Sequence, residues 1–98
     1  MSKLILIGSQ ELLFIAAKTF AEQGVELMLC IPESERARFN EAQLASLGSV
    51  VFFADIQSES LYAQAKAFAP DWILSIIFGQ RIPAKFCQLA SREALNFH

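Results

Sequence analysis

Five short apolar runs, most of them closed by a glycine or proline and followed by helical periodicity, constrain this chain more than any other feature. The first, "KLILIG" (residues 3–8), is apolar after its lysine with no polar alternation, the pattern of a strand buried on both faces. "VELMLCI" (25–31) stops at Pro32, "SVVFFA" spans 49–54, "DWILSIIF" spans 71–78, and "EALNF" (93–97) is a fifth short strand.

Helical stretches fill the intervals. In "QELLFIAAKTFAEQG", Leu13, Ala16, Ala17, Phe20 and Ala21 recur at steps of three and four, and Leu12, Phe14 and Ile15 widen the stripe. Ser9 is the expected N-cap, Glu11 suits the positive end of the helix dipole, and Gly24 ends the helix. A second helix is expected from a Ser34 cap to Leu47, ended by Gly48, with a wet face of Glu35, Arg36, Arg38, Asn40, Glu41 and Gln43. Residues 55–60 read as a turn and cap for a third helix, "SLYAQAKAFA", which Pro70 stops. Pro83 is placed to start a short fourth helix through about Leu89.

The order βαβαβαβαβ implies an α/β fold: an open, mainly parallel five-stranded sheet with helices on both faces. Residues 1–98 read as one domain, without repeats, linkers or an internal boundary. Ligands of such sheets bind beyond the carboxyl ends of the strands, near the point where strand order reverses. That edge gathers Gly8-Ser9-Gln10, Pro32-Glu33-Ser34, Phe78-Gly79-Gln80-Arg81 and the "NFH" terminus.

Hydrophobic residues make up 54% of the chain and charged residues 18%, an apolar balance for so small a domain. The surplus implies apolar surface that another segment or subunit covers. The net charge of −2 is spread without a basic run, so the footprint of a dedicated nucleic-acid binder is missing. "LILIG" is too short for a secretory core, and no apolar run approaches the ~18 residues of a membrane span. Cys30 and Cys87 fit no disulfide or metal spacing, and two reduced thiols point to the cytoplasm.

Several chemistries lack their residues. Dinucleotide binding wants three glycines after the first strand, but here Gly8 is followed by Ser9, Gln10 and Glu11. One histidine and two isolated cysteines supply no metal site. No glycine-flanked serine marks a nucleophile elbow. Trp72, Phe52 and Phe53 fall within strands and read as core, whereas Asp55 and Asp71 fall at turns and read as caps.

Asn96 and His98 remain. They are two apart at the end of the fifth strand, so their side chains share one side of it. An amide that steadies a developing oxyanion and an imidazole that moves a proton suit acyl or formyl transfer.

The segment "DWILSIIFGQRIPAKFCQLASREALNFH" resembles the end of the first half of the formyltransferase domain. That family includes the methionyl-tRNA, glycinamide ribonucleotide and sugar-nucleotide formyltransferases. The likeness lies in an apolar strand, a glycine-containing loop leading to Ile82-Pro83, a short helix, and a strand ending Asn-x-His. The opening "IGSQELL" fits that domain's start, a Rossmann-like sheet. The resemblance implies formyl transfer from 10-formyltetrahydrofolate to an amine. It assigns catalysis to Asn96 and His98, and the folate pterin to Phe78, Gly79, Gln80, Arg81, Ile82 and Pro83. It also implies a downstream loop and a catalytic aspartate that these residues do not include. The chain therefore reads as a truncated N-terminal part of such a domain, inactive by itself, prone to self-association, and completed by a missing C-terminal segment. A small non-enzymatic α/β module that binds a ligand or partner is the alternative, followed by another nucleotide or flavin domain. The acceptor amine is not legible.

Overall fold

A computed structural model describes residues 2–97. The strands are β1 (Lys3–Gly8), β2 (Glu26–Pro32), β3 (Ser49–Phe53), β4 (Trp72–Ile76) and β5 (Glu93–Phe97). They form one sheet in the order β3-β2-β1-β4-β5, and every pairing is parallel. The central strand, β1, pairs on both edges: Ile5 lies opposite Met28 of β2 and Ile73 of β4. Strand order reverses between β1 and β4, which puts the ligand-binding crevice of an open α/β sheet at their carboxyl ends.

The helices are α1 (Glu11–Glu22), α2 (Glu41–Ala45), α3 (Glu59–Phe68) and α4 (Ala84–Cys87). Strand alternation divides the core into two layers. Leu4, Leu6, Leu27, Leu29 and Ile31 pack with Leu13 and Ala17 of α1 and Leu44 of α2. Ile5, Ile7, Met28, Cys30 and Ile73 point the other way, toward Leu61 and Ala65 of α3 and Phe86 of α4. Fully burying each such aliphatic side chain is worth about 1.5–3 kcal/mol.

Local chemistry sets the ends of these elements, and it corrects two expectations. The cap of α1 is Gln10, in extended conformation and with no side-chain cap hydrogen bond, so Ser9 does not serve. The expected helix over 34–47 is broken in two: a 3-10 turn at Glu33–Arg38 and the five-residue α2. Phe39 is extended (φ −116°, ψ 151°), and the Asn40 side chain caps α2 by accepting from the Gln43 N–H. That hydrogen bond draws asparagine out of a helix interior and into a cap. Arg36 spans the break, ion-paired to Glu33 and Glu41 and stacked 4.4 Å from the Phe52 ring centroid. At α3, Ser58 caps by accepting from the Leu61 N–H, and Ala69 ends the helix in the left-handed region (φ 55°).

One face of the sheet is only partly covered. α1 and α2 lie over β1 and β2, but beyond α1 the side chains of Leu95 and Phe97 on β5 are 48% and 52% exposed. A groove of about 290 Å³ runs there past Phe20, Trp72, Leu74 and Leu95. The apolar surplus in the composition surfaces on this face.

Gly8 closes β1 where it lies against β4. A Cβ at this position would stand 2.7 Å from the Ile76 carbonyl oxygen, which is backbone and cannot swing aside. At Gly79 an added Cβ meets nothing within 4 Å. Gly8→Ala should therefore lower unfolding free energy by about 1–3 kcal/mol, with Gly79→Ala within about 0.5 kcal/mol of wild type. Urea denaturation of both variants checks this.

Candidate functional site

Two strand ends and one loop build the site on the crevice edge. β4 is apolar except for Ser75, which is 3% exposed. Ser75 lies directly opposite Asn96 of β5 in the parallel register, and its hydroxyl donates to Asn96 Oδ1 at 2.6 Å. By strand alternation Ser75 shares the side of Ile73, and Asn96 the side of Ala94, which is the α3–α4 side of the sheet.

β4 was expected to run to Phe78, but it ends at Ile76 because Ile77 turns into the left-handed region at φ 46°. This conformation costs a non-glycine residue roughly 1–2 kcal/mol, and β-branching makes it rarer still. The Ile77 N–H donates to the Phe97 carbonyl at 2.8 Å, so the turn is held by the end of β5. The bend carries the chain out of the sheet into residues 78–83, and Pro83 then stands at the N-cap of α4.

The loop and the strand ends enclose a cleft of about 190 Å³, walled by Ser75, Gln80, Arg81, Ile82, Cys87, Leu95 and Asn96. The structure thus brings together Asn96, Gln80, Arg81 and Ile82. Three other loop residues stand apart from that wall. Phe78 is half-buried, packs on the α3–α4 core and meets Phe53 edge-on at 6.0 Å between centroids. Gly79 is exposed, and Pro83 serves α4. His98 lies outside the described residues.

The sequence analysis did not single out Ser75. Its signal was present: a lone hydroxyl in an apolar strand, at the position that parallel pairing sets opposite Asn96.

Asp55 and Asp71 are structural, as their turn positions suggested. Asp55 accepts from the Gln57 N–H in a tight turn. Asp71 works at the opposite, amino-terminal edge of the sheet, where its carboxylate accepts from the Lys3 N–H at 2.9 Å and from the Ser91 hydroxyl at 3.0 Å. Its own backbone pairs with Lys3 and Arg92, so it ties the starts of β1, β4 and β5 together. The Lys3 N–H first, and the Ser91 hydroxyl second, hold the Asp71 carboxyl below the usual aspartate range. Cys30 is enclosed in the core, where burial pushes its thiol up to about 12 and leaves it an inert packing group. Among the described residues no group of three or more His, Cys, Asp and Glu side chains is placed to hold a metal ion.

A larger cleft, about 450 Å³, lies beside the start of α1. Its walls are Ser9, Gln10, Glu11, Phe14, Arg38, Phe39, Asn40 and Gln43. A continuous helix over 34–47 would have hidden it, because the Phe39–Asn40 break is what opens its second wall.

Comparison with protein-family models and with curated proteins finds no match for this chain.

The Asp71 clamp predicts a pH dependence. Its folded-state pKa is depressed, so its stabilisation is fully present above the ordinary aspartate value near ~4. It is lost as pH falls through the folded value. Asp71→Asn should lower the melting temperature at neutral pH and flatten the acid limb of the stability curve. Thermal melts of both proteins between neutral and strongly acidic pH check this, and an unchanged acid limb would count against the clamp.

Proposed function

We propose that this chain carries the donor side of a folate-dependent formyltransferase site, which moves a formyl group from 10-formyltetrahydrofolate to an amine. The observation that carries the proposal is the meeting of Asn96 with Gln80, Arg81 and Ile82 in one cleft at the carboxyl edge of a parallel sheet. The family likeness in residues 71–98 joins the same two segments by sequence pattern.

The cleft fits part of the donor. Its volume of about 190 Å³ suits a bicyclic ring. Pockets that enclose a whole ligand span ~300–1,000 Å³. Ile82 offers an apolar surface to a flat ring, the backbone of residues 79–83 offers groups to its polar edge, and Arg81 brings positive charge toward an anionic glutamyl tail.

In the transfer, the acceptor nitrogen bonds to the formyl carbon, the bond from that carbon to the donor nitrogen breaks, and the proton leaving the acceptor passes to the departing nitrogen. Asn96 steadies the negative charge on the formyl oxygen by donating from its carboxamide NH2. His98 steadies the same oxygen and takes part in the proton transfer. The two free thiols place this chemistry in the cytoplasm. No helix among the described residues is long and apolar enough to cross a membrane.

A second reading, a ligand-binding α/β module without catalysis, draws on one observation: the cleft beside α1 is the larger of the two and lies away from Asn96.

The test is turnover of 10-formyltetrahydrofolate with a panel of amines by the full protein. Asn96→Ala should reduce kcat by roughly 10²–10³-fold, the size of a lost oxyanion donor, and His98→Ala should also reduce it steeply. Wild-type rates in either variant would remove that residue from the mechanism.

A further inference from the structure

We propose that Ser75 is the positioning residue of the site: its hydroxyl fixes the carboxamide of Asn96 with the oxygen toward the sheet and the NH2 group toward the cleft. The chemical consequence rests on the formyl-transfer reading, whereas the orientation itself does not.

Three observations support the assignment. Ser75 is a buried hydroxyl, 3% exposed, in a strand whose other residues are Trp72, Ile73, Leu74 and Ile76. Such a group weakens a core unless it is hydrogen-bonded, and an apolar residue would suit the position better. Its hydrogen bond goes to Asn96, directly across the register, as a short contact of 2.6 Å. Finally, Ser75 and Asn96 both belong to the wall of the cleft, so the bond is made at the site itself.

The two ends of a carboxamide have nearly the same shape, and the last torsion of asparagine is broad. A fixed donor at one end decides which end faces outward. An oxyanion is steadied only by the NH2 end, so an amide turned the other way would present an oxygen to negative charge. The Ile77 N–H to Phe97 carbonyl bond, one step further along both strands, keeps the register from slipping.

The experiment has two arms. Proton–nitrogen spectra of the labelled protein, with the Asn96 side-chain NH2 pair assigned by its loss in Asn96→Asp, read the amide directly. Ser75→Ala should shift and broaden that pair, while Ser75→Thr, which keeps the hydroxyl, should restore it. In the kinetic arm, Ser75→Ala should lower kcat by up to about a hundredfold, the cost of a misplaced catalytic group, with little change in KM for the folate, and Ser75→Thr should recover most of the loss. An NH2 pair unmoved by Ser75→Ala would overturn the proposal whatever the activity. A shifted pair with unchanged kcat would also overturn it, leaving only a structural hydrogen bond. A shifted and threonine-restored pair in a protein that transfers no formyl group would uphold the orientation while the functional reading failed.

Discussion

β1 is the constraint on which the rest depends. Both of its edges are hydrogen-bonded, to β2 and β4, and the side chains of Leu4, Ile5, Leu6 and Ile7 are buried alternately in the two core layers. Such a strand tolerates neither a shift of register nor a polar face. It also fixes where strand order reverses, and hence where the sheet opens at its carboxyl edge. Gly8 is the local expression of that constraint, because only a residue without a Cβ lets β1 end so close to Ile76.

The two ends of β4 answer different demands. At the amino edge, the Asp71 carboxylate and backbone bind the starts of β1 and β5, which is stability. At the carboxyl edge, the strand gives up regularity. Ser75 puts a hydroxyl where an aliphatic group would pack, and Ile77 takes a left-handed backbone that disfavours branched residues. Local rules broken at one end of one strand, both within two residues of each other, mark a place where the chain serves something other than packing.

Much of the fold was legible in the sequence because its signals are short-range. The strand boundaries of "EALNF" and the cap at Ser58 follow from apolar runs and capping chemistry, and the alternation of elements implied the parallel sheet. The break at Phe39–Asn40 was not legible. The polar residues of 35–43 have no strong helical stripe to violate, and what decides the break is Asn40 reaching the Gln43 N–H. Nor was the loss of Phe78 from the cleft wall, since its packing against Phe53 joins residues far apart in the chain. In the candidate site, pattern placed Asn96 and the 80–82 loop, but the partner of Asn96 emerged only when parallel pairing set Ser75 opposite it.

The central claim is that the cleft beside Asn96, and not the larger one beside α1, receives the folate. Titration of the labelled protein with 5-formyltetrahydrofolate, a stable relative of the donor, followed by backbone and side-chain amide shifts, tests this directly. The account predicts saturable shifts at Gln80, Arg81, Ile82 and Asn96, with Ser9, Gln10 and Asn40 unmoved. Shifts confined to Ser9, Gln10 and Asn40, or no saturable shift at any residue, would contradict it.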